Sequence, residues 1–438
     1  MNKSWAGRAI GASIAALVIG VAMTGCGASG GGNGGGAVSG DGEYTGPDVE
    51  VTFWHGWTGG AAPTIVPALI DEFNSEHDNI TVKAVPQEWA DITAKMPLAI
   101  KAGKGPDVAV LHGDDLATYA AQNLLLDAGG IIDGLGYTAD DFPPGVFDKG
   151  NFRDAQYAVP WSVTPLGLFV NKTVLAKAGI TEIPTDEASY TAALEALKGA
   201  GVQGEWVDGY VFTGTFEFQS LIWQFGGDLY NEDVTEATFN DEAGVKALTW
   251  MTDLVKNGYS PANVAQDGNI KALLSDETAF NWNGVWQTSN TAFEGLDWAA
   301  APVPQIGDEK AVWSSSTHWV FPANKGQDEN KTAAAAVFLK WMNDNSVGWA
   351  ETGELPAANE VREDPTLLEQ YPNLQPFMDE LEYAHYETVA PGINEANAQI
   401  TLALNEALTG KKDVQTALDD AADKANQILE QNRAKYGD

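Results

Sequence analysis

The sequence predicts an α/β protein with two lobes. Its 438 residues are too many for one hydrophobic core and suit two. From residue 49 onward, short runs rich in β-branched and aromatic residues alternate with stretches whose apolar residues recur at helical spacing. The order strand, helix, strand, helix, strand is typical of a parallel sheet with crossover helices.

The first folded stretch sets this pattern. Residues 49–55 predict a strand, residues 56–60 a glycine-rich loop, and residues 65–73 a helix. Ligands of open α/β sheets bind at the carboxyl ends of strands, so we expect His55 and Trp57 to lie at a binding site. Indole and imidazole rings there suit a ligand with flat apolar faces and polar edges, such as a sugar ring.

The remaining elements follow from the same signals. Strands are predicted at residues 80–85, 107–111, 166–172, 279–286, 298–304 and 319–321, and residues 157–165 directly precede the strand at 166–172. Helices are predicted at residues 89–102, 116–123, 174–178, 185–197, 216–224, 241–256, 270–274 and 331–343, and the tail 394–434 is helix-rich. Asp115 and Asn240 are predicted to cap helices, and Asn171 to cap a helix or brace a strand end.

Composition excludes several classes of function. Acidic residues exceed basic ones by 61 − 24 = 37, which argues against nucleic acid as a partner. The single cysteine, Cys26, excludes an intramolecular disulfide bond. The five histidines form no metal-binding motif, and no phosphate-binding loop is present. We therefore expect no metal and no cofactor, and expect the energy for any transport to come from a separate ATPase.

The N-terminus predicts the location. Lys3 and Arg8 precede an apolar run, residues 9–23, that is too short for a comfortable membrane span. Met23-Thr24-Gly25-Cys26 resembles the bacterial lipobox, with methionine where leucine is usual. That resemblance implies a lipoprotein signal peptide, residues 1–25, and a lipid on the sulfur of Cys26. An uncleaved anchor helix would give the same outside location.

Residues 26–46 are then a lipidated tether, because they are rich in glycine and serine and should be flexible. The folded part would lie near the outer face of the cell membrane, and the bias toward glycine and acidic residues favours a Gram-positive bacterium.

Five segments in order resemble one family. They are residues 105–108, residues 157–161 with 168–172, residues 224–230 with 237–240, residues 280–286, and residues 353–357. Together they are similar to the extracellular solute-binding proteins of ABC importers, in the carbohydrate-binding group that includes maltose-binding proteins. The resemblance covers nearly all of the chain after Val51.

This resemblance implies a type II-like periplasmic-binding-protein fold, with a ligand cleft between two lobes joined by hinge strands. Lobe 1 would take residues 47–160 and a returning segment, roughly residues 290–350. Residues 161–438 would form mostly lobe 2, with C-terminal helices packed across the hinge. The implied partners are a neutral oligosaccharide and the permease subunits of an ABC importer, and the implied state is a monomer.

Ten residues at predicted strand ends and loops are candidates for contact with the ligand. They are His55, Trp57, His112, Asp114, Trp161, Asn283, Trp286, Ser315, Ser316 and His318. Residues 313–318 are predicted to form a serine-rich loop where many relatives have glycines. Trp161 and Trp286 are the strongest candidates, whereas Trp282 and Trp349 also suit a hydrophobic core.

Two other functions stay open at this point. An extracellular glycoside hydrolase needs two carboxylates at a defined separation, and no acidic residue here lies in a recognisable catalytic motif. A binding protein for a non-sugar ligand, such as a polyol, would use the same fold. The strand ends and loops that carry the ten candidate residues contain no arginine or lysine, which disfavours a sugar phosphate or a uronate. We expect a binding protein and not an enzyme.

Overall fold

A computed structural model describes residues 43–209 and 213–437. The predicted signal peptide, Cys26 and most of the tether lie outside the described residues. Within the described ranges, no helix is both long and apolar enough to cross a lipid bilayer.

The chain alternates between strands and helices through its first half and is mainly helical at its end. The strands are β1 (Val49–His55), β2 (Ile80–Pro86), β3 (Val108–His112), β4 (Asn151–Phe152), β5 (Ala155–Gln156), β6 (Ala158–Asn171), β7 (Phe280–Gly284), β8 (Trp298–Ala301), β9 (Val312–Val320), β10 (Leu355–Pro356) and β11 (Ala384–Tyr386). The α-helices are α1 (Ala62–Glu76), α2 (Trp89–Lys101), α3 (Gly113–Ala121), α4 (Gly129–Leu135), α5 (Lys172–Lys177), α6 (Glu187–Gly199), α7 (Thr213–Gln224), α8 (Glu242–Lys256), α9 (Gly268–Leu274), α10 (Glu329–Asp344), α11 (Asn359–Arg362), α12 (Pro365–Gln370), α13 (Gln375–Asp379), α14 (Ile393–Leu408) and α15 (Val414–Tyr436). Short 3₁₀ helices span Ala139–Asp141, Phe147–Gly150, Val285–Ser289, Thr291–Phe293, Ser346–Thr352, Pro372–Leu374 and Glu380–Tyr383.

The first three strands form the predicted parallel unit. Strand β1 pairs in parallel with β2 on one side and with β3 on the other. Helices α1 and α2 make the connections between them, as the alternation of patterns predicted. The carboxyl ends of β1 and β3 therefore lie at one edge, which places His55 and His112 on the same side of the sheet.

Strand β6 passes through two large hydrophobic cores. Its first half pairs with β9, from Ala158 opposite Val320 to Pro165 opposite Ser314. Its second half pairs with β7 and β8. Val159, Trp161 and Val163 pack in the core that holds β1 and β3, whereas Leu166 and Leu168 pack in the core that holds α7, α8 and α14. One buried strand thus belongs to both halves of the molecule.

The predicted loop at residues 313–318 is wrong. These residues lie in β9, and all nine residues of that strand are buried. A strand buried on both faces shows no alternation of polar and apolar residues, so the serine run has the sequence pattern of a loop. The hydroxyl groups can be buried because they are paired: Ser162 Oγ lies 2.6 Å from Thr317 Oγ1.

Two of the three predicted caps are wrong in position. Asn171 caps α5, because its Oδ1 accepts a hydrogen bond from the Val174 N–H at 3.0 Å. Helix α3 begins earlier than predicted, at Gly113, so Asp115 lies in its first turn, where a carboxylate is also favourable. Helix α8 has Asp241 rather than Asn240 at its N-cap.

The C-terminal helix α14 offers a matched test of the core. Leu404 is fully buried, whereas Leu402 on the same helix is 58% exposed. Leu404→Ala is expected to lower the free energy of unfolding by about 2–5 kcal/mol, because it leaves a cavity. The control Leu402→Ala should change it by less than about 0.5 kcal/mol. Chemical denaturation measures both, and equal losses would contradict this packing.

Candidate functional site

Three loops converge beside the carboxyl end of β1. They are residues 57–60, the 3₁₀ helix Val285–Ser289, and residues 352–354. Gly353 has φ +88°, and a Cβ atom there would lie 2.9 Å from Thr288 Oγ1 and 3.0 Å from the Val285 carbonyl oxygen. A Cβ atom on Gly60 would lie 3.0 Å from Ser289 Oγ. The close approach of the backbones requires glycine at position 353 and brings the three loops into contact.

An aromatic cluster lies behind these loops. Its members are His55, Trp57, Trp89, Trp161 and Trp349. The ring centroids of Trp57 and Trp349 lie 4.5 Å apart, and those of Trp161 and Trp349 lie 5.2 Å apart. Trp57 is 5% exposed and Trp161 is 1% exposed, so both are largely covered in this structure. A surface recess lined by His55, Trp57 and helix α1 opens beside the cluster.

The indole N–H groups of this cluster are short of partners. Those of Trp57, Trp161 and Trp349 are buried without a properly aligned hydrogen bond to any described residue. The carboxyl group of Glu354 lies beside the Trp57 and Trp349 indoles and accepts a hydrogen bond from Ser162 Oγ at 2.7 Å. Burial raises the pKa of Glu354 to about 7. The sequence did not mark Glu354 as a site residue, although it lies in the fifth family-like segment.

Trp286 lies on the 3₁₀ helix Val285–Ser289 and is half-buried, so part of its ring is free for contact. Asn283, the residue before the last of β7, is buried instead. Its Nδ2 donates to Asn281 Oδ1 at 2.9 Å, and its own Oδ1 accepts from the Gly284 N–H. Asn283 thus braces the end of β7.

His112 at the end of β3 joins the aromatic cluster to strand β9. Its ring centroid lies 4.2 Å from that of Trp89, and its Nδ1 lies 3.5 Å from Ser315 Oγ. Burial lowers the pKa of His112 to about 4, so the imidazole is neutral at pH 7. A neutral imidazole can both donate and accept hydrogen bonds, as recognition of hydroxyl groups requires.

Asp114, Asp115 and Glu387 form an acidic cluster at the start of α3, directly after His112. Asn394 Nδ2 donates to Asp115 Oδ1 at 3.1 Å. Glu387 is 8% exposed, and its Oε2 has no hydrogen-bond partner within the described ranges. That oxygen lies 3.5 Å from the position that a Cβ atom on Gly113 would take, at the start of α3. Glu387 carries no sequence signal, because only the fold brings it to α3.

The pKa values of all three acids are raised. Burial is the main cause in each, and the charge of Asp114 raises the pKa of Asp115 and of Glu387 further. Lys149 acts on Glu387 in the opposite direction. The cluster therefore holds more protons near neutral pH than free carboxyl groups would.

Seven of the ten candidate residues lie at the clusters and loops described above, and three are enclosed. His55, Trp57 and Trp161 meet in the aromatic cluster, His112, Asp114 and Ser315 meet at the acidic cluster, and Trp286 contacts the loop of Gly353. The other three are enclosed. Ser316 and His318 are fully buried and joined by a 2.9 Å contact between Ser316 Oγ and His318 Nε2. Contact of the ten residues with a ligand stays a prediction.

Within the described part of the chain, no three or more histidine, cysteine, aspartate or glutamate side chains are placed to hold a metal ion.

Residues 68–376 match the family described as bacterial extracellular solute-binding protein. The chain belongs to this family. It is 25% identical over 396 residues to the maltodextrin-binding protein MdxE of Bacillus subtilis, covering 85% of this chain and 88% of that protein. It is 24% identical over 371 residues to the galactooligosaccharide-binding protein of the same species, covering 81% of this chain and 84% of that protein.

Solved structures show the same architecture. The cyclic α-maltosyl-1,6-maltose binding protein from Arthrobacter globiformis has a TM-score of 0.77 and 26% identity, covering 88% of this chain and all of that chain. The GacH receptor of Streptomyces glaucescens has a TM-score of 0.75 and 25% identity, covering 87% of this chain and 98% of that chain. The predicted family and the two-lobed, type II-like periplasmic-binding-protein fold are confirmed.

The raised pKa of Glu387 predicts a pH-dependent stability. As pH rises above the ordinary value of 4.5, the unfolded chain loses this proton while the folded protein keeps it. The unfolded state then binds fewer protons, so the free energy of unfolding falls with rising pH. Glu387→Gln removes this fall, and its stability relative to the natural protein should increase between about pH 5 and pH 8.

Chemical denaturation at the two pH values measures the effect. Glu382→Gln, at an exposed position in the preceding 3₁₀ helix, is the matched control. Its free energy of unfolding should change with pH as that of the natural protein does. A difference in the free energy of unfolding between Glu387→Gln and the natural protein that is the same at both pH values would contradict the prediction.

Proposed function

We propose that this extracellular solute-binding protein captures a neutral oligosaccharide and delivers it to the permease of an ABC importer. The observation that carries the proposal is that His112 links the aromatic cluster to Ser315 on strand β9, next to the acidic cluster, while Trp286 contacts the loop of Gly353. Strands β6 and β9, which both cores share, run beside these groups. Its relatives in Bacillus subtilis are named for maltodextrin and galactooligosaccharide, which supports a ligand of several sugar rings.

The chemistry of the two clusters suits such a ligand. Indole faces stack on the C–H faces of sugar rings, and Trp286 has part of its ring uncovered for this. Carboxyl, hydroxyl and imidazole groups at Asp114, Ser315 and His112 can exchange hydrogen bonds with sugar hydroxyls. Three acidic side chains against Lys149 disfavour a phosphate or carboxylate on the ligand. This balance of charge favours a neutral ligand over an anionic one.

We infer that the protein has no enzymatic activity. Its family and its structural neighbours are solute-binding proteins, which supports release of the ligand unchanged. Recovery of the bound oligosaccharide at its original length after prolonged incubation is the direct check. Shortened products would support the glycoside hydrolase alternative.

We further propose that the lobes follow the limits expected from the sequence, residues 47–160 with roughly 290–350, and residues 161–438, and that the protein is a monomer. We also propose that a lipid on Cys26 holds the protein at the outer face of the membrane of a Gram-positive bacterium. Support comes from the lipobox-like residues 23–26 and from the extracellular family.

Cys26→Ser tests the anchor. The variant should move from the membrane fraction to the medium when it is expressed in a Gram-positive host, because it lacks the sulfur that carries the lipid. Immunoblots of the two fractions measure this. Equal retention of Cys26→Ser and the natural protein in the membrane fraction would contradict the anchor.

A panel of neutral oligosaccharides tests the ligand class. A sugar that binds only the folded protein should raise the midpoint of thermal unfolding, because binding stabilises the folded state by mass action. Trp286→Ala should then weaken binding about tenfold, or roughly 1.4 kcal/mol, through lost stacking. Isothermal titration calorimetry measures the affinity.

Trp341→Ala is the matched control. Trp341 lies on α10, half-buried, and its indole N–H donates to Glu76 Oε2 at 2.7 Å, away from the candidate site. Its replacement should leave affinity unchanged. A panel in which no oligosaccharide shifts the midpoint, while a polyol does, would favour the non-sugar alternative.

A further inference from the structure

We propose that Glu354 is a positioning residue that couples the hinge strands β6 and β9 to the tryptophans of the binding site. This inference deepens the proposed function and rests on it for its effect on ligand affinity. Glu354 is half-buried and lies outside the ten residues that the sequence indicated. Its carboxyl group is the acceptor at which the hinge and the aromatic cluster meet.

The backbone around Glu354 fixes the direction of its side chain. Gly353 precedes it in a left-handed conformation with no room for a side chain. Strand β10 follows it directly and pairs with β6, with Leu355 opposite Val163 and Pro356 opposite Ser162. Because the residues before and after Glu354 are both fixed, its carboxyl group can reach only a narrow region beside β6.

One side of the carboxyl group is bound to the hinge. Ser162 Oγ donates to Glu354 Oε2 at 2.7 Å and lies 2.6 Å from Thr317 Oγ1 on β9. Ser162 is the first residue after an irregularity in the β6–β9 register, which leaves Trp161 unpaired between Pro160 and Ser162. Such a bulge redirects a side chain, and here it turns Trp161 into the aromatic cluster.

The other side of the carboxyl group faces indoles. The buried N–H groups of Trp57 and Trp349 lie close enough to the Glu354 carboxyl group to lower its pKa, which opposes the effect of burial. Neither N–H group makes a well-aligned hydrogen bond with any described residue. An ionised carboxylate offers acceptor positions for both, whereas a protonated one loses an acceptor position to its own proton. Ionisation of Glu354 therefore favours the arrangement in which Trp57 is drawn toward the hinge.

Burial, rather than a neighbouring charge, determines the pKa of Glu354. His55, which stacks on Trp57, is neutral at pH 7 because burial lowers its pKa to about 4. Arg362 is directed elsewhere, with its Nη1 donating to the carbonyl oxygens of Pro356 and Ala357. Glu351, on the preceding 3₁₀ helix, is exposed. The pKa of Glu354 near 7 then places its titration in the neutral range.

Tryptophan fluorescence without any ligand tests the coupling. Across about pH 5.5 to 8.5, the natural protein should show a sigmoidal change centred in the neutral range, because Trp57 and Trp349 lie beside the titrating group. Glu354→Gln should abolish this change, and Glu354→Asp, which keeps a titrating carboxyl group, should retain it. Glu351→Gln is the exposed control and should behave like the natural protein. A transition that persists in Glu354→Gln, or that is missing in the natural protein, overturns the proposal.

Calorimetry with maltotriose tests the consequence for binding. The natural protein should bind more tightly at pH 8 than at pH 6, and Glu354→Gln should bind with equal affinity at both, about tenfold more weakly than the natural protein at pH 8. If Glu354→Gln does not fold, Glu354→Asp decides the question, because the shorter side chain moves the titrating carboxyl group. A fluorescence midpoint displaced from that of the natural protein and of Glu351→Gln supports the coupling, and an identical midpoint overturns it. Absence of maltotriose binding to the natural protein counts against the proposed function for this sugar, while the fluorescence result alone decides the coupling.

Discussion

The antiparallel pairing of β6 with β9 is the interaction on which the rest of the structure depends. Both strands are buried along their whole length, and each joins different partners at its two ends. Strand β6 leaves β9 to pair with β7 and β8, and β9 pairs with β3 at one end and with β11 at the other. Because the two cores share these strands, the candidate ligand-binding side chains of both halves are placed relative to one short ladder.

This arrangement explains why polar residues lie so deep in the molecule. Ser162, Thr317, Ser316 and His318 are at most 2% exposed, yet hydroxyl–hydroxyl and hydroxyl–imidazole contacts pair them within the ladder. An unpaired buried polar group would cost about 1–3 kcal/mol, so paired small side chains suit strands that must cross between two cores. The buried groups that lack hydrogen-bond partners among the described residues include His318 Nδ1 within the ladder. They also include the indole N–H groups of Trp57, Trp161 and Trp349 and the Oε2 atom of Glu387, which lie at the two clusters beside the ladder.

The sequence predicted what is local and missed what the long-range pairing creates. His55, Trp57 and His112 could be placed at strand ends because alternating residues and glycine-rich loops mark where β1 and β3 stop. The serines of β9 have the sequence pattern of a loop, because a strand buried on both faces shows no alternation of polar and apolar residues. Glu354 reaches Ser162 across 192 residues, a contact that no spacing in the sequence reveals. Glu387 meets the start of α3 in the same way.

The central claim is that two lobes joined by these hinge strands close on an oligosaccharide without altering it. Small-angle X-ray scattering of the purified protein, alone and with a saturating oligosaccharide from the panel, tests that claim most directly. Closure of the cleft predicts a smaller radius of gyration and a changed scattering curve with the ligand. Superimposable curves under conditions where calorimetry shows the site to be full would contradict the account.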